Sequence, residues 1–375
     1  MKMKKIALVV ATPLSFNVFY KHHIHYLKKY YDITLIANFE LDSCDIEGVK
    51  KVHLNIQRKP NIFADIKALY ELILIFKVQK FDLVHSTTPK AGLLTQIAGK
   101  LANVKVRIHT FTGQVWANKH GYRREMLKII DRIIAYLPTH LLTDSHSQKE
   151  ILEREKIVPL NKTTVLGLGS ICGVEIDKFK SIDESEKKSI KNSLGFNYED
   201  FIYLYLGRLN KDKGLLDLLQ AFELVYEQRR DTRLLLVGRD EENILNLIEK
   251  NSLYNKAIFY KGFTKQPEKF MAMADIFCLP SYREGFGSVI IEASACGTPS
   301  VGTNIYGLCD AIENHKSGLL CNVNDPNDLS DKMLSLANHS EMLQNFSEYG
   351  VARVRKNFDS RIISGYLLAF YKEIL

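Results

Sequence analysis

Short apolar segments that alternate with longer amphipathic ones constrain the fold of this chain most strongly. They form two series, at 5–11, 32–38, 82–86, 105–111 and 139–145, and then at 200–207, 232–238, 256–262, 274–280, 298–302 and 318–323. Continuous apolar strands between helices are typical of a parallel sheet that helices cover on both faces. A glycine-rich stretch without periodicity, 166–181, separates the two series. The sequence therefore predicts an α/β protein with two doubly wound, Rossmann-like domains.

The helical segments between the apolar runs complete this prediction. They are expected at 16–30, 62–80, 90–102 and 121–137 in the first series, and at 213–228, 241–251, 265–273, 287–296, 325–337 and 339–355 in the second. We place the domains at 1–180 and 181–357. Ligands of open parallel sheets bind beyond the carboxyl ends of the strands, where the strand order reverses. Two such domains can therefore face each other across a cleft and bind different substrates.

Composition and charge narrow the class of protein. No window of about 18 apolar residues occurs, so no membrane-spanning helix is expected, and the apolar run before Pro13 is interpreted as a strand rather than a signal peptide. The six cysteines form no C-x-x-C pair, which favours reduced thiols in the cytoplasm. The net charge is +8, and residues 1–180 carry 28 Lys and Arg against 16 Asp and Glu. This basic half is either a solvated surface or a binding surface for anionic lipid, nucleic acid or phosphorylated substrates.

The segment SYREGFGSVIIEASACG, 281–297, combines a glycine-containing loop with the start of a helix. Gly285 and Gly287 allow the backbone to approach a ligand closely. The amides of Gly287, Ser288 and Val289 have no partner within the helix, and such helix starts favour phosphate. The loop is therefore a candidate phosphate site.

Two carboxylates and two cations flank this helix start. Glu292 lies one helical turn after Ser288. A carboxylate at that position repels phosphate, but it accepts hydrogen bonds from the diol of a ribose. Glu284, in the loop, faces the group that the phosphate carries. The segment YLGRLNKDKG supplies Gly207, Arg208 and Lys213, so that two cations and the helix amides can neutralise a diphosphate. The chain contains no D-x-D, G-x-x-x-x-G-K-[ST] or G-x-G-x-x-G motif. We therefore expect no Mg²⁺ or Mn²⁺ site, no ATP hydrolysis and no dinucleotide-dependent dehydrogenase.

These motifs resemble those of the retaining nucleotide-sugar glycosyltransferases of family 4. EGFGSVIIE resembles the E-x7-E motif of that family, and GRLNKDKG resembles its G-R-x(4)-K-G diphosphate motif. HTFTGQVWA, TDSHSQKE and GSICGVEIDKF resemble segments of its bacterial surface-polysaccharide members, so the resemblance covers nearly the whole chain. It implies the GT-B fold, with two Rossmann-like domains facing across a cleft and a last helix, within 358–375, that crosses back to the first domain.

The resemblance also implies roles for the matching positions. Arg208 and Lys213 stabilise the departing diphosphate, and Glu284 holds hydroxyls of the donor sugar. His109, at the end of a strand in the first domain, approaches the donor sugar through its ring or its backbone. The remaining donor-binding positions are the amides of Gly285, Phe286 and Gly287 for the sugar, Ser288 and Val289 for phosphate, Glu292 for ribose, Gly207 beside Arg208, and Gly238, Arg239, Phe263 and Thr264 for the base.

Acceptor contacts are expected in the first domain. Many relatives carry a glycine-rich loop after the first strand, but ATPLSFNVFYKHH contains no glycine. The candidate acceptor contacts are Ser15 and Asn17 in this loop, His85, Thr87 and Lys90 after a neighbouring strand, and Gly113. The helical segments 17–31 and 120–137 mix basic with apolar residues, and they either lie on an anionic membrane or face the core.

The motifs and the family resemblance together predict a metal-independent glycosyltransferase without a cofactor, and the resemblance implies that the reaction retains configuration. We expect it to move a hexose or N-acetylhexosamine from a nucleoside diphosphate, UDP rather than GDP, to a polyprenyl-diphosphate-linked glycan, forming an α-linkage. The setting is O-antigen, capsule or related polysaccharide biosynthesis at the inner face of the cytoplasmic membrane, with no nucleic acid partner. The alternatives are a UDP-sugar epimerase on the same scaffold and a non-catalytic nucleotide-sugar-binding protein.

Overall fold

Two all-parallel sheets form the framework of the computed structural model, which describes residues 3–57 and 61–375. The strands of the first sheet are β1 (Lys5–Val9), β2 (Asp32–Ala37), β3 (Lys50–His53), β4 (Leu83–Thr87), β5 (Val106–Phe111), β6 (His140–Thr143) and β7 (Thr163–Val165). Those of the second are β8 (Phe201–Leu206), β9 (Thr232–Val237), β10 (Ile258–Tyr260), β11 (Ile276–Leu279), β12 (Ser300–Thr303) and β13 (Gly318–Cys321). The strand orders are β3-β2-β1-β4-β5-β6-β7 and β10-β9-β8-β11-β12-β13. Each order reverses once, between β1 and β4 and between β8 and β11, as in doubly wound sheets.

Helices connect the strands of both sheets. They are α1 (Pro13–Ser15), α2 (Lys21–Leu27), α3 (Ile62–Gln79), α4 (Pro89–Leu101), α5 (Gly121–Tyr136), α6 (His146–Arg154), α7 (Glu184–Ser193), α8 (Leu215–Gln228), α9 (Leu245–Ile248), α10 (Pro267–Met273), α11 (Ser288–Ala295), α12 (Leu308–Ala311), α13 (Pro326–Asn338), α14 (Ser340–Asn357) and α15 (Ser360–Ile374). A π-helical segment, Phe16–Tyr20, joins α1 to α2, and a 3-10 turn, Lys211–Lys213, precedes α8. In the part of the chain that the structure describes, no helix is both long and apolar enough to cross a bilayer.

The chain divides into two compact units. Unit 1 contains the residues up to Cys172 together with Ser360–Leu375, and unit 2 contains Gly173–Asp359. The last helix, α15, therefore returns to unit 1, where Leu367 and Tyr371 are buried in the same apolar cluster as Ile6 and Leu8 of β1. The predictions of two doubly wound sheets and of a returning helix are both confirmed.

The sequence patterns do not predict several elements correctly, and each difference has a physical reason. Strands β3 and β7 lie at the two edges of the first sheet, and edge strands need no apolar run because one side is open to solvent. Helix α6 is polar, and the hydroxyl of Ser145 caps it by accepting a hydrogen bond from the amide of Gln148 (3.1 Å). Helix α9 is shorter than expected because the Asp240 carboxylate accepts hydrogen bonds from the amides of Ile244 (2.9 Å) and Leu245 (3.0 Å), which holds the preceding segment in a turn.

The two faces of the first sheet are covered by different helices. Ile6 and Leu8 of β1 point to the face that carries α2 and α15, whereas Ala7 and Val9 point to the face that carries α3 and α4. Helix α5 packs against α4 and lies on that second face. The predicted membrane helices 17–31 and 120–137 therefore lie on opposite faces of the sheet. Because the apolar side chains of α2 are buried against α15, the first of these helices faces the core.

A buried polar network joins α15 to the strands of unit 1. The Nδ1 atom of His85 lies 2.6 Å from the hydroxyl of Tyr371, and its Nε2 atom lies 2.6 Å from the hydroxyl of Thr110. Burial lowers the pKa of His85 to about 3, so the ring is neutral at physiological pH. Both hydroxyl partners stabilise the fold, because a buried ring nitrogen without a hydrogen-bond partner lowers the free energy of unfolding.

We predict that Tyr371→Phe lowers the free energy of unfolding by about 1–3 kcal/mol, because it leaves a buried ring nitrogen of His85 without a partner. Tyr366→Phe is the matched control, since it removes a hydroxyl from an exposed ring of the same helix. Urea unfolding of both variants measures the difference, and equal stabilities would contradict the structural role of this network.

Candidate active site

The donor-side motifs meet at the point where the strand order of unit 2 reverses. Strands β8 and β11 are neighbours in the sheet, although β9 and β10 lie between them in the sequence. The loop after β8 contains Gly207, Arg208 and Lys213, and the loop after β11 contains Glu284. Both loops lie at the carboxyl edge of the sheet, which is where open α/β sheets bind ligands.

Gly214 brings these two loops into contact. Its φ is +66°, and a β-carbon at this position would lie 1.9 Å from the carbonyl oxygen of Pro280. Only glycine permits that approach, so the 3-10 turn that carries Lys213 packs directly on the end of β11. The amide of Tyr282 donates to the carbonyl of Asp212 (2.9 Å), which fixes the same two segments.

Each of the two predicted cations is paired with a carboxylate. The ammonium group of Lys213 forms an ion pair with Glu284, which also accepts a hydrogen bond from the hydroxyl of Ser281 (2.9 Å). The guanidinium group of Arg208 is half-exposed and lies 2.9 Å from the carboxylate of Glu241. The structure thus brings Lys213 and Glu284 together directly, and it places Arg208 on the same edge with a different acidic partner.

Helix α11 begins beside Glu284 without a side-chain cap. Gly287 occupies the N-cap position with a φ of +80°, and as a glycine it has no side chain that could cap the first amides of the helix. Phe286 is buried and its ring packs against Phe358, so only its backbone faces the loop. Ser288 and Val289, the first residues of α11, are half-buried. The helix start therefore presents backbone donors of the kind that bind phosphate oxygens.

Glu292 lies one turn into α11 and is half-buried. Burial raises the pKa of its carboxyl group to about 7, and the nearby Lys178 opposes this rise only in part. Among the described residues, none forms a hydrogen bond or ion pair with this carboxylate. A half-buried carboxylate without a protein partner retains its full capacity to accept hydrogen bonds from a ligand.

The four positions predicted for the base lie at the ends of β9 and β10. The guanidinium group of Arg239 lies 4.5 Å from the ring centre of Phe263, which is exposed. Gly238 donates a backbone hydrogen bond to Gly262 (2.8 Å), which ties the two strand ends together. The hydroxyl of Thr264 accepts from the amide of Gln266 (3.0 Å) and orders the loop before α10.

His109 is buried in unit 1. Its Nδ1 atom lies 3.0 Å from the hydroxyl of Ser86, and its ring packs edge-on against Phe111. A β-carbon on Gly92 of α4 would lie 2.4 Å from the ring, so the imidazole occupies the space that a side chain would fill. Burial lowers the pKa of His109 to about 3, and the ring is therefore neutral.

The predicted acceptor residues of unit 1 make the following contacts. His85 and Thr87 are buried, and the Thr87 hydroxyl bonds to that of Tyr20, so both side chains face the protein interior. Lys90 forms an ion pair with Asp65 at 2.6 Å. Asn17 donates to the carbonyl of Ser43 (3.1 Å) and accepts from the amide of Asp45 (3.0 Å), while Ser15 and Gly113 are half-buried.

Sequence reasoning missed the residues that hold the cations and loops in place. Glu241 binds both Arg208 and the side-chain amide of Asn210 (3.2 Å), and Asp212 forms an ion pair with Arg283 (3.0 Å). The signal for Glu241 is its position in the loop after β9, since residues that follow neighbouring strands of a parallel sheet meet at the same edge. Within 3–57 and 61–375, no cluster of three or more His, Cys, Asp or Glu side chains is placed to hold a metal ion.

Known proteins share both halves of this arrangement. Residues 186–353 match the family model described as glycosyl transferases group 1, and residues 5–135 match the model described as glycosyl transferase 4-like. The whole chain is 30% identical to the capsular polysaccharide biosynthesis glycosyltransferase CapM of Staphylococcus aureus, of which it covers 98%. The chain belongs to the group 1 glycosyltransferases.

Other bacterial glycosyltransferases are also similar to this chain. Over 72% of its length, the chain is 28% identical to an Escherichia coli UDP-Gal:alpha-D-GlcNAc-diphosphoundecaprenol alpha-1,3-galactosyltransferase, of which 69% is covered. Over 88% of its length it is 25% identical to a Campylobacter jejuni N,N'-diacetylbacillosaminyl-diphospho-undecaprenol alpha-1,3-N-acetylgalactosaminyltransferase, of which 87% is covered. Among solved structures, Anabaena Alr3699/HepE in complex with UDP and glucose superposes with a TM-score of 0.81 at 15% identity, covering 99% of this chain and 100% of that one. The glycosyltransferase therefore has the GT-B fold, and the resemblance inferred from its motifs is confirmed.

We predict that Gly287→Ala lowers the free energy of unfolding by about 1–2 kcal/mol or more, because an L-residue is strained at positive φ. A β-carbon there would also lie 2.4 Å from Leu308. Gly365→Ala is the control, since nothing lies within 4 Å of a β-carbon at that helical position, and a gain of up to about 1 kcal/mol is expected. Thermal unfolding measures both, and a Gly287→Ala protein as stable as the parent would contradict the assigned loop geometry.

Proposed function

We propose that this glycosyltransferase moves a hexose or N-acetylhexosamine from a UDP-sugar to a lipid-linked glycan, with retention of configuration and without a metal ion. The observation that carries the proposal is the convergence of Lys213, Glu284 and the uncapped start of α11 at the strand-order reversal of unit 2. The activities of the Escherichia coli and Campylobacter jejuni relatives support a polyprenyl-diphosphate-linked acceptor and an α-linkage. The capsular relative supports a role in assembling a bacterial polysaccharide, such as capsule or O-antigen.

Charge neutralisation of the leaving group is the central step of this reaction. As the bond between the sugar C1 and the β-phosphate oxygen breaks, negative charge accumulates on the diphosphate. Arg208 and Lys213 each have a carboxylate partner, Glu241 and Glu284, and can exchange it for phosphate oxygens. The amides at the start of α11 add oriented donors. Because these groups supply positive charge at the diphosphate, the reaction needs no divalent ion there.

The other groups orient the donor and complete the proton balance. When Lys213 leaves Glu284 for the diphosphate, Glu284 can accept hydrogen bonds from hydroxyls of the donor sugar. Glu292 accepts hydrogen bonds from the ribose diol, and the Arg239–Phe263 pair contacts the nucleotide base. The acceptor oxygen bonds to C1 on the face that the diphosphate leaves, and a phosphate oxygen takes the acceptor proton. His109 is neutral and serves to position groups rather than to donate a proton.

A transfer assay tests the proposal. Purified protein is incubated with UDP- and GDP-sugars and with vesicles that contain a polyprenyl-diphosphate-linked glycan, in the presence of EDTA. We expect an α-linked product, identified by its anomeric NMR coupling, and a loss of kcat of about 10²–10³-fold for Lys213→Ala, because one stabilising donor is removed. Lys211→Ala is the matched control, since that exposed lysine lies in the same turn and its ammonium group forms no ion pair with the described residues.

Four outcomes contradict this proposal. Activity that disappears with EDTA and returns with manganese excludes the metal-free mechanism, and a β-linked product excludes retention. Turnover of the donor to an epimer without any acceptor, or binding of the donor without transfer, excludes the glycosyl transfer itself.

The raised pKa of Glu292 predicts a pH-dependent affinity for the donor. The ionised carboxylate is the form that accepts two hydrogen bonds, and its pKa is about 7 in the free protein. The dissociation constant of UDP-glucose is therefore expected to rise about tenfold for each pH unit below 7 and to level off above it. UDP-glucose is the suitable probe because its diphosphate is a diester and does not titrate in this range.

Glu292→Gln removes the titrating group while preserving the size of the side chain. We expect a weaker but pH-independent affinity, measured by isothermal titration between mildly acidic and mildly basic pH. An unchanged pH profile in this variant excludes Glu292 from the nucleotide site.

A further inference from the structure

The loop that carries Glu284 packs on the segment that leads into α12. Gly307 directly precedes this helix with a φ of +83°, and a β-carbon on it would lie 2.6 Å from the carbonyl oxygen of Gly285 and 3.1 Å from that of Glu284. Only glycine permits this approach, so the backbone before α12 is in direct contact with the backbone of the loop. We call residues 281–287 the donor loop. The position of α12 therefore determines where the donor loop lies.

Arg353 of α14 holds the other end of α12. Its guanidinium group donates to the carbonyls of Asp310 (2.6 Å) and Ala311 (2.7 Å), the last two residues of that helix. Carbonyls in the last turn of a helix have no partner within it, and a charged donor satisfies them. The side chain of Arg353 is only 10% exposed, and its Nε atom lies 3.4 Å from the carboxylate of Glu313. Arg353 is therefore an integral part of this cluster rather than a surface charge.

Arg353 also reaches the donor loop through two aromatic rings. Its guanidinium carbon lies 4.8 Å from the ring centre of Phe358, within the range of a cation–π contact. The ring centre of Phe358 lies 5.4 Å from that of Phe286 in the donor loop, and both rings are buried. One guanidinium group thus contacts the supports of the donor loop on two routes, through α12 and through Phe358.

We propose that Arg353 is a positioning residue for the donor sugar. It holds the donor loop where the carboxylate of Glu284 meets the sugar hydroxyls, and it acts through α12 and Phe358 rather than by touching the donor. This inference deepens the proposed function and rests on it, because the role of Glu284 comes from there. Its physical basis is that a displacement of about 1 Å is enough to misalign the groups that orient a substrate.

Arg229 offers the same chemistry at the opposite edge of the sheet. Its guanidinium carbon lies 4.9 Å from the ring centre of Phe201, and the group donates to the carbonyl of Ala337, near the end of α13, and to the carboxylate of Asp231 (2.7 Å). Arg229 precedes β9 and Phe201 begins β8, so these residues lie at the amino edge of the sheet, away from the donor loop. Arg229→Met is therefore a matched control for Arg353→Met.

Transfer kinetics and donor binding test the role of Arg353 in the full chain. For Arg353→Met we expect kcat to fall about 10- to 100-fold, because the loop that orients the sugar is displaced. The affinity for UDP-glucose should fall more than that for UDP, since UDP lacks the sugar that the donor loop contacts. Arg353→Lys keeps one charged donor and should recover part of kcat. Arg229→Met should lower the free energy of unfolding but leave kcat and both affinities unchanged per folded molecule.

Amide hydrogen exchange tests the position of the donor loop independently of activity. We expect the amides of residues 284–289 to exchange about tenfold faster in Arg353→Met than in the parent, because a loop that loses its supports opens more often. Phe358→Leu removes one of the two routes and should accelerate exchange of the same amides. Arg229→Met should leave their exchange unchanged, even where it lowers the free energy of unfolding by the same amount.

A parental kcat or parental exchange of the donor loop in Arg353→Met overturns the inference. An equal change in Arg229→Met also overturns it, because the effect is then one of stability alone. If Arg353→Met does not fold, Arg353→Lys and Phe358→Leu decide the question by the same measurements. Absence of transfer by the parent protein contradicts the proposed function, whereas hydrogen exchange of the donor loop then tests the positioning by itself.

Discussion

The adjacency of β8 and β11 decides which residues of unit 2 can act together. These strands are distant in sequence, and only the reversal of strand order makes them neighbours. As a consequence Lys213 and Glu284, 71 positions apart, form an ion pair. The close approach of Gly214 to Pro280 maintains this contact, since any larger residue would separate the two loops. The remaining donor-side residues follow from the same adjacency, because their loops end at the same edge of the sheet.

Two kinds of carboxylate occur at this edge, and their environments differ. Glu241 and Glu284 are paired with cations, so the charges of Arg208 and Lys213 are balanced before any ligand arrives. Among the described residues, none forms an ion pair or a hydrogen bond with Glu292, and burial raises its pKa more than the nearby Lys178 lowers it. Under the proposed function, the paired acids exchange partners when the diphosphate binds, whereas Glu292 gains its first partner from the ligand.

Local features of the sequence predict most of the fold and the backbone of the site. Apolar runs indicate the interior strands, and the glycines around Glu284 indicate the uncapped start of α11. Contacts between distant segments are not available in this way. The position of Glu241 after β9 places it at the same edge of the sheet as Arg208, but it does not specify that the two side chains pair. His85 shows the same limit, because its position at a strand end suggested a ligand contact, yet its partner is Tyr371 on the returning helix. The sequence pattern of 120–137 resembles that of 17–31, and only the sheet topology separates their two faces.

The return of α15 has a consequence for the order in which the protein can be completed during synthesis. His85 and Tyr371 are 286 positions apart, so the interior of unit 1 lacks a helix until nearly the whole chain has left the ribosome. Unit 2 is one continuous segment, Gly173–Asp359, and all of its own interior is available before that moment. The half of the molecule that is translated first is therefore the half whose core is finished last.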